Sequence, residues 1–360
     1  MSMGVRLPII KENDDIVRII ADRIERSSNE CNIPIDNGDI IGITESIVAR
    51  SAGLYVSVDD VAKSVMEKFD GQDKVYVLWP IYSRNRFSLI LKGIAKGTRN
   101  VVVVLSGKDE VGNDLVNQFT GVDIVEFYRN LIKESGAIPI ILKSANEVFQ
   151  MWLKDFSDKK RINVIQAACH PDDVRGYASF RHFVENGVLK EITLGDLCDD
   201  VNPDFGLFGS NKATEDTLKL FPTVELSKTV ALGVQERIMK HTGKHVEVLI
   251  YGDGCFKDPV GGIWELADPV SSPYYTDGLE GTPNELKLKY IADNESADED
   301  FIVERIKHKD DNLTGQMISQ GTTPRRYRDL VASLCDLTSG SGDKGTPVVW
   351  IKNYFKNYAD

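Results

Sequence analysis

The sequence predicts an α+β core, built on a mixed sheet, that is interrupted by an inserted three-layer α/β unit. In the middle of the chain, apolar strand-like runs alternate with helical segments, as in a parallel sheet covered by helices. On either side of this stretch the strand-like runs are isolated, which is typical of mixed structure. The predicted parts are therefore 1–60 and 202–360 for the core and 72–197 for the inserted α/β domain.

The first part of the core contains an amphipathic helix and a short buried strand. The helix begins near Asp14, and its inward face carries Ile16, Ile19, Ile20 and Ile24. The strand has the sequence IIGIT, centred near Ile41, and it runs into ESIVARSAG.

The inserted unit is predicted from its strands, which have the sequences VYVLW, VVVVL, IPIIL and NVIQA. Between them lie helical segments such as VDIVEFYRNLIKES, and DDVRGYASFRHFVEN follows the last strand. Strands separated by helices of this length are joined as parallel neighbours.

The second part of the core contains the strand VEVLIYGDG, which ends at Asp253. A carboxylate at the end of a strand can bind magnesium, but an aspartate before glycine also closes turns. Both interpretations remain open. Further acidic residues are either additional ligands or solvated surface, namely Asp258, Asp293, Glu295 and Asp298.

The stretch TTPRRYRDLVASLCDL predicts an amphipathic helix with Thr323 as N-cap and Pro324 at its first position. Its predicted apolar face consists of Tyr327, Leu330, Val331, Leu334 and Leu337. Its first turn carries three arginines, namely Arg325, Arg326 and Arg328. Cations are unfavourable at a helix N-terminus, so these side chains require an anionic partner. That partner is either a substrate or the acidic run 298–300.

The loop TSGSGDKGT follows this helix and precedes the apolar strand PVVWI. Glycines at Gly340, Gly342 and Gly345 allow main-chain N–H groups to converge on a phosphate, and Lys344 adds a positive charge. The spacing is not that of a Walker loop. The alternative interpretation is a flexible connection between helix and strand.

Composition excludes several classes of partner. The chain has 360 residues and a net charge of −12, with a pI near 5.1. This charge argues against a nucleic-acid or membrane-surface partner. No secretory signal or membrane-spanning run is visible, so we expect a cytoplasmic protein. The five cysteines are scattered singly and are predicted to be reduced thiols.

Taken in order, these segments resemble the gamma-glutamyl ligase family that acts on the deazaflavin coenzyme F420-0. GVRLPIIKENDDI looks like the opening of that family, with its LPLI segment, and GDIIGITESIVARSAG is similar to its GDVLVVTxKIVSKAEG pattern. The resemblance implies that both segments bind nucleotide, through Leu7, Pro8, Ile9, Ile10, Thr44, Glu45 and Arg50.

Three later segments extend the resemblance. GLFGSN resembles the family's GIDASN and implies that Asn211 faces the nucleotide. HTGKHVEVLIYGDG resembles LTGKxVxVIITDT and implies a metal site at Asp253 and Gly254. RDLVASLCDLTSGSGDKGTPVV is similar to ADEIAxxxxLLMGEGxxxxPVV, the family's nucleotide loop, which here comprises Ser339, Gly340, Ser341, Gly342, Asp343, Lys344, Gly345 and Thr346.

The sequence departs from the family pattern at two positions. Phe208 replaces a metal-binding aspartate, and Gly254 replaces a threonine. Asp204 and Glu215 are candidate replacements for the missing carboxylate. The middle stretch has no counterpart in the resemblance, which is why it is interpreted as an insertion.

The resemblance implies a ligase that uses GTP to phosphorylate an acceptor carboxylate, after which the amine of L-glutamate attacks the acyl phosphate. It implies Mg or Mn as cofactor, a homodimer, and small-molecule substrates only. Arg325, Arg326 and Lys344 are the candidate catalytic groups that hold anionic substrate. The acceptor is of the coenzyme F420-0 type or, alternatively, a folate.

Two functions from other classes remain open. CHPDDV, at 169–174, resembles the HPDD zinc motif of N-acetylglucosaminyl deacetylases, although Pro171 and Asp172 also suit a helix start. The departures at Phe208 and Gly254 are compatible with a non-catalytic GTP-binding regulatory protein.

Overall fold

The computed structural model describes residues 1–80, 86–105, 114–116, 120–167, 183, 185–257, 264–283, 286–309, 326–340 and 342–360. At 86, 253–257 and 264–271 the description covers the backbone alone. Its strands are β1 (Ser2–Val5), β2 (Ile40–Thr44), β3 (Tyr55–Ser57), β4 (Lys74–Leu78), β5 (Asn100–Val104), β6 (Ile138–Leu142), β7 (Ile162–Gln166), β8 (Leu189–Thr193), β9 (Asn211–Lys212), β10 (Thr217–Lys219), β11 (Glu247–Lys257), β12 (Trp264–Tyr275) and β13 (Val348–Ile351).

The helices in the same ranges are α1 (Ile16–Cys31), α2 (Glu45–Ser51), α3 (Val58–Lys68), α4 (Arg86–Lys96), α5 (Ile124–Glu134), α6 (Ala145–Ser157), α7 (Val224–Thr242), α8 (Leu288–Asn294), α9 (Glu299–Lys307) and α10 (Tyr327–Ser339). None of these helices combines the length and the apolar composition that crossing a membrane requires.

The chain forms two compact units. The first comprises Met1–Gly53, Val224–Gly254 and Asp268–Asp360, and the second comprises Leu54–Thr223 and Cys255–Ala267. The chain is therefore of mixed α and β structure, as the sequence predicts. That the middle of the chain is an insertion stays a prediction.

The first unit is built on a mixed five-stranded sheet with the strand order β1-β13-β2-β11-β12. Strand β13 runs antiparallel to both β1 and β2, whereas β11 runs parallel to β2. The predicted strand IIGIT is confirmed as β2. The strand predicted from VEVLIYGDG is present as β11, but β11 continues to Lys257, so the prediction that the strand ends at Asp253 is wrong.

Both faces of this sheet are buried, because successive apolar residues of its strands point to opposite sides and pack against helices. Ile41 and Ile43 of β2 belong to the cluster that includes α1 and α7. Ile40, together with Leu249 and Val349, packs with Val331 and Cys335 of α10 on the other face. Successive residues of a strand point to opposite faces, so strands that are apolar at every position require helices on both sides.

The second unit contains a five-stranded sheet with the order β6-β5-β4-β7-β8, in which every neighbouring pair is parallel. The predicted parallel α/β arrangement is confirmed. All four predicted strands are present, because each is a short run of β-branched or apolar residues between polar segments. A smaller antiparallel sheet has the order β3-β10-β9.

Two details of the C-terminal helix differ from the prediction. Helix α10 begins at Tyr327 with Arg326 as its N-cap, whereas Thr323 and Pro324, the predicted N-cap and first helical residue, lie outside the described residues. Leu337 does not belong to the apolar face, since it is 81% exposed. The buried face consists of Val331, Ala332 and Cys335. Helix α1 agrees better with its prediction, because its N-cap is Asp15, one residue after the predicted start, and three of the four isoleucines predicted to face inward are buried.

The thiols of Cys198 and Cys335 are buried and that of Cys31 is exposed, and all three are free. Burial raises the pKa of the Cys198 thiol to about 12. Cys169 lies outside the described residues, as do His170 and the rest of the 169–174 motif, and the Cys255 side chain is not described.

Candidate functional site

Several chain segments converge at one edge of the mixed sheet. Val348 at the start of β13 pairs with Val5 at the end of β1 and with Ile43 near the end of β2. Tyr251 of β11 pairs with Thr44, the last residue of β2. The segments that leave β1 and β2, the middle of β11 and the segment that enters β13 therefore meet at the same edge.

At this edge lies a cavity of about 460 Å³ whose walls belong entirely to the first unit. Twelve of the sequence-predicted nucleotide-binding residues line it: Leu7, Pro8, Ile9, Ile10, Thr44, Glu45, Arg50, Ser339, Gly340, Gly342, Gly345 and Thr346. The structure thus brings together residues that are separated by up to about 340 positions in the sequence. Sequence reasoning missed the other lining residues: Ser46, Ile47, Tyr251, Gly252, Asp336 and Pro347.

The glycine-containing loop is held in place by hydrogen bonds at both ends. The Thr346 hydroxyl donates to the Ser339 carbonyl oxygen at 2.9 Å, and the Leu7 N–H donates to the Gly345 carbonyl oxygen at 3.3 Å. Gly340 ends α10 with φ 65° and ψ −150°, a conformation that essentially only glycine adopts. The loop is therefore a defined structure attached to β1 and α10.

Lys344 places its ammonium group near this loop. A Cβ atom built on Gly340 would lie 3.1 Å from Lys344 Nζ. Lys344 itself is exposed and does not line the cavity. Its charge nevertheless lies beside a lining residue, so it adds positive potential at the cavity rim.

Glu45 contributes a buried carboxylate to the cavity. Its side chain is 6% exposed, and its Oε2 accepts a hydrogen bond from the Thr44 hydroxyl at 2.7 Å. It lies against the backbone of Gly252, where a Cβ atom would approach Glu45 Oε2 to 2.4 Å. The lack of a side chain at Gly252 therefore leaves room for the Glu45 carboxylate. Gly252 directly precedes Asp253, whose side chain is not described.

Arg50 connects α2 to the N-terminal segment. Its Nε donates to the Ile10 carbonyl oxygen at 2.5 Å, while the side chain remains exposed at the cavity. Within the described ranges Arg50 has no ion-pair partner. The rest of its guanidinium is thus available to an anion in the cavity.

Tyr251 forms part of the cavity wall next to Gly252. Burial raises the pKa of its hydroxyl, and Ser339 acts in the opposite direction. The hydroxyl oxygen is buried and makes no hydrogen bond of normal geometry within the described part of the chain, although Ser339 lies close enough to act on its pKa. Tyr251 reaches the cavity because β11 pairs in parallel with β2, so that Tyr251 lies beside Thr44. No single segment of the sequence predicts that pairing.

Some of the remaining predicted residues are described and do not line this cavity, and others lie outside the described residues. Arg326 lies at the opposite end of α10 from Gly340, which is roughly 20 Å along a helix of that length. Asp343 belongs to the loop but does not line the cavity. Arg325, Ser341 and Asp258 lie outside the described residues.

Of the two partners left open for the arginines, the 298–300 run is not the partner of Arg328. The guanidinium of Arg328 lies 5.0 Å from the Tyr275 ring centre and donates to its hydroxyl at 2.8 Å. Asp298 instead caps α9 by accepting from the Phe301 N–H. This correction follows from a contact between distant strands and helices that the local sequence does not contain.

Asn211 and Phe208 belong to the second unit. Asn211 begins β9, and Phe208 is buried in the core, with its ring against Gly195. A core phenylalanine at the position of a family aspartate cannot bind metal. Of the candidate replacements, Asp204 is exposed and Glu215 is exposed and paired with Lys212 Nζ at 2.7 Å.

The described residues contain one other group that could hold a metal, formed by Asp22, Glu25 and His241. Asp22 accepts from Arg237 at 2.8 Å, and His241 Nδ1 lies 2.8 Å from Glu25. These ion pairs between α1 and α7 account for the cluster without a metal.

Helix α10 approaches β2 closely at Gly42, which yields a stability prediction. A Cβ atom on Gly42 would lie 2.2 Å from Cys335 Sγ and 3.2 Å from Cys335 Cβ. We expect Gly42→Ala to lower the free energy of unfolding by about 1–3 kcal/mol, as overpacking does. Urea unfolding measures this change.

The double variant Gly42→Ala/Cys335→Ala provides the control, because it removes the sulfur that clashes. It should recover part of the lost stability, while Cys335→Ala alone should cost about 1 kcal/mol for a small cavity. A double variant that is less stable than Gly42→Ala would contradict the proposed contact.

Comparison with known proteins adds one informative match. The profile of a family described as F420-0:Gamma-glutamyl ligase matches residues 4–353. No curated protein sequence matches the chain. The crystal structure of eIF2B beta from Chaetomium thermophilum matches at 14% identity and a TM-score of 0.23, covering 38% of this chain and 40% of that chain. The chain thus spans less than half of that protein, and so loose a likeness supports no conclusion.

Proposed function

This chain belongs to the F420-0:gamma-glutamyl ligase family, and on that basis we propose that it is a nucleotide-dependent ligase joining an acceptor carboxylate to L-glutamate. The family consists of gamma-glutamyl ligases, so the protein is an enzyme of the ligase class. The observation that carries the proposal is the cavity at the sheet edge, which gathers the segments that the family resemblance assigns to nucleotide binding.

The cavity suits a nucleoside triphosphate, which the family resemblance implies is GTP. Arg50 and Lys344 offer positive charge from two sides, and the glycines of the loop 339–346 let its backbone lie close to a phosphate, although the Gly340 and Gly345 N–H groups themselves donate to the Asp336 and Gly342 carbonyl oxygens. Leu7, Ile10 and Ile47 provide apolar surface for the base and ribose. An acidic protein with net charge −12 needs such local cationic groups to hold a polyanion.

The site also suits Mg or Mn. Hard divalent cations prefer carboxylate oxygens, and Glu45 supplies a buried carboxylate next to the backbone of Gly252 and Asp253. We propose that Asp253 and Glu45 hold the metal, with Gly254 adjacent. When bound, the ion neutralises charge that develops on the phosphate oxygens.

The proposed chemistry has two steps. An oxygen of the acceptor carboxylate attacks the terminal phosphorus, and the nucleoside diphosphate leaves, which produces an acyl phosphate. The neutral amine of L-glutamate then attacks the acyl carbon, phosphate departs, and the amine loses a proton to give the amide. Arg50 and Lys344 hold the transferred phosphate, while Leu7 and Ile10 exclude the water that would hydrolyse the acyl phosphate.

The acceptor is proposed to be of the coenzyme F420-0 type, with a folate glutamyl tail as the alternative. A second candidate function is GTP binding without catalysis. It is favoured by the burial of Phe208 in the core, where the family has a metal-binding aspartate. We further propose that the protein acts as a homodimer on small molecules only.

A mass-spectrometric assay tests the proposal. The purified protein is incubated with GTP or ATP, MgCl2, L-glutamate and either a deazaflavin or a folate acceptor. We expect the acceptor to gain one glutamyl residue with release of one phosphate, only when the nucleotide is present. Nucleotide binding without mass gain on any acceptor would favour the non-catalytic function, and absence of nucleotide binding would refute both.

Arg50 offers a direct test of the cavity with a matched control. We expect Arg50→Gln to weaken nucleotide binding by about tenfold or more, because a hydrogen bond to a charged group is lost. Arg23→Gln is the control, since Arg23 also donates to a main-chain carbonyl of the N-terminal segment, Arg6 O at 3.0 Å, but does not line the cavity. Isothermal titration with GTP should show a change for the first variant only.

A further inference from the structure

Thr44 makes an unusual use of its hydroxyl group at the wall of the cavity. It is the last residue of β2 and the N-cap of α2, a position at which a threonine hydroxyl normally accepts a hydrogen bond from the first turn of the helix. Thr44 makes no such capping bond, although the whole of α2 is described. Its hydroxyl instead donates to Glu45 Oε2 at 2.7 Å. The side chain therefore holds the carboxylate of its neighbour rather than the backbone of the helix.

The backbone of Thr44 is fixed without help from its side chain. The Thr44 N–H donates to the Pro347 carbonyl oxygen at 2.9 Å, and Thr44 pairs with Tyr251 where β2 runs parallel to β11. At the start of α3, by contrast, the Ser57 hydroxyl accepts from the Asp60 N–H at 3.1 Å and caps the helix. The Thr44 hydroxyl has no such task in α2, so the stability of that helix does not explain its orientation.

The Glu45 carboxylate is restrained by two contacts at the cavity. A Cβ atom built on Gly252 would lie 2.4 Å from Glu45 Oε2 and 2.5 Å from Cδ, so the main chain of β11 lies directly against the carboxylate. The Thr44 hydroxyl holds the same oxygen. All three residues line the cavity. A glutamate side chain has several rotatable bonds, and these two contacts limit the positions that its carboxylate can take.

Hydrogen-bonding capacity separates the role of Thr44 from that of Glu45. A hydroxyl group has one hydrogen to donate, and Thr44 gives it to Glu45. It therefore cannot also donate to a phosphate. A carboxylate has lone pairs for about four partners, so the bond from Thr44 leaves Glu45 able to bind a cation. Groups that orient metal-binding side chains in this way change metal affinity by about 10–100-fold.

We propose that Thr44 is a positioning residue, whose hydroxyl holds the Glu45 carboxylate in the orientation that binds a divalent cation in the cavity. This inference rests on the proposed function, in which Glu45 is one of the residues that hold Mg or Mn. It replaces the direct contact with the nucleotide that the family resemblance implies for Thr44. The hydroxyl of Thr44 acts on the cation only through Glu45.

Thr44→Val tests this role, because valine is also β-branched and lacks only the hydroxyl. The protein is titrated with Mn²⁺ in saturating GTP, and binding is followed by the loss of the EPR signal of the free ion. We expect the dissociation constant of Mn²⁺ to rise about tenfold. Thr44→Ser keeps a hydroxyl and should restore the wild-type value. The melting temperature of metal-free Thr44→Val should equal that of the wild type.

Ser57→Ala is the matched control for the loss of a hydroxyl at a helix N-cap. Ser57 caps α3 and does not line the cavity. We expect the opposite result for this variant, namely a lower melting temperature, because the cap is lost, with an unchanged dissociation constant for Mn²⁺.

Titration with GTP in EDTA distinguishes positioning from direct contact. Without a cation, Thr44→Val should bind GTP as the wild type does, because the Thr44 hydroxyl does not contact the nucleotide. An equal loss of GTP affinity with and without the cation would mean that Thr44 contacts the nucleotide itself, and this result would overturn the positioning role.

The outcomes separate this inference from the proposed function. If Glu45→Gln loses Mn²⁺ binding but Thr44→Val binds Mn²⁺ within about twofold of the wild type, well short of the effect of an orienting group, the role of Thr44 is overturned and the proposed function stands. If Glu45→Gln binds Mn²⁺ as the wild type does, Glu45 is not a ligand, and the inference fails while nucleotide binding stands. If the wild type binds neither MgGTP nor MgATP, the proposed function fails and this inference fails with it.

Discussion

Gly340→Ala is expected to lower kcat/KM for the nucleotide by about 100-fold, the loss that a displacement near 1 Å produces in an active site. Gly340 has φ 65° and ψ −150°, and residues with a side chain are strained there by about 1–3 kcal/mol. The added methyl group would also lie 3.1 Å from Lys344 Nζ and 3.2 Å from its Cδ. Both effects move the loop and its ammonium group away from their positions at the cavity.

Steady-state kinetics with varied nucleotide, once an acceptor is identified, measures this loss. Gly243→Ala is the control, because Gly243 has φ 70° and no atom within 4 Å of a built Cβ. It therefore shares the positive φ of Gly340 without lining the cavity. It should lose about 1 kcal/mol of stability and keep its kcat/KM. Wild-type kinetics in Gly340→Ala would show that the loop does not contact the nucleotide.

The strands were predictable from the sequence because their signal is local. Runs such as IIGIT and IPIIL contain nearly only apolar residues, and both correspond to strands with the same bounds. Helix α1 was predictable for a similar reason, since its isoleucines recur at helical spacing. The start of α10 was not, because Thr323 and Pro324 form a cap-like pair whereas the helix begins only at Tyr327.

The cavity was predictable in part, and only through family resemblance. No periodicity connects Leu7, Thr44 and Gly340, which meet because β13 lies between β1 and β2. Tyr251 was missed for the same reason, since its place in the wall depends on the pairing of β11 with β2. Arg328 was assigned to an anion because the sequence does not show that Tyr275 packs beside it.

Lys352→Met is expected to lower the free energy of unfolding by about 3–5 kcal/mol, the cost of removing one partner of a buried ion pair. Lys352 is 8% exposed and Asp39 is 1% exposed. Lys352 Nζ donates to Asp39 Oδ2 at 2.9 Å, to Asp36 Oδ2 at 2.8 Å and to the Pro34 carbonyl oxygen at 2.5 Å. Methionine fills much of the volume but leaves the Asp39 charge buried without its cation.

Two further variants distinguish a buried charge from lost packing. Lys352→Met/Asp39→Asn should recover part of the stability, because the uncompensated charge is removed and the Trp350 Nε1–H can still donate to residue 39, as it does at 2.9 Å in the wild type. Lys307→Met removes an exposed partner of Glu304 and should cost at most about 1 kcal/mol. Urea unfolding of all three variants decides between the two causes.

The pH dependence provides an independent measurement of the same pair. Burial opposes the charge on Lys352, but hydrogen bonds to Asp36 and Asp39 outweigh it and raise its pKa. A raised pKa stabilises the folded state fully below the unfolded-state value of about 10.4. That contribution is lost as the pH rises through the folded-state pKa. The difference in unfolding free energy between wild type and Lys352→Met should therefore be constant near neutral pH and shrink above about pH 10.4. A difference that stays constant into this alkaline range would mean that Lys352 stabilises the protein through packing rather than through its charge.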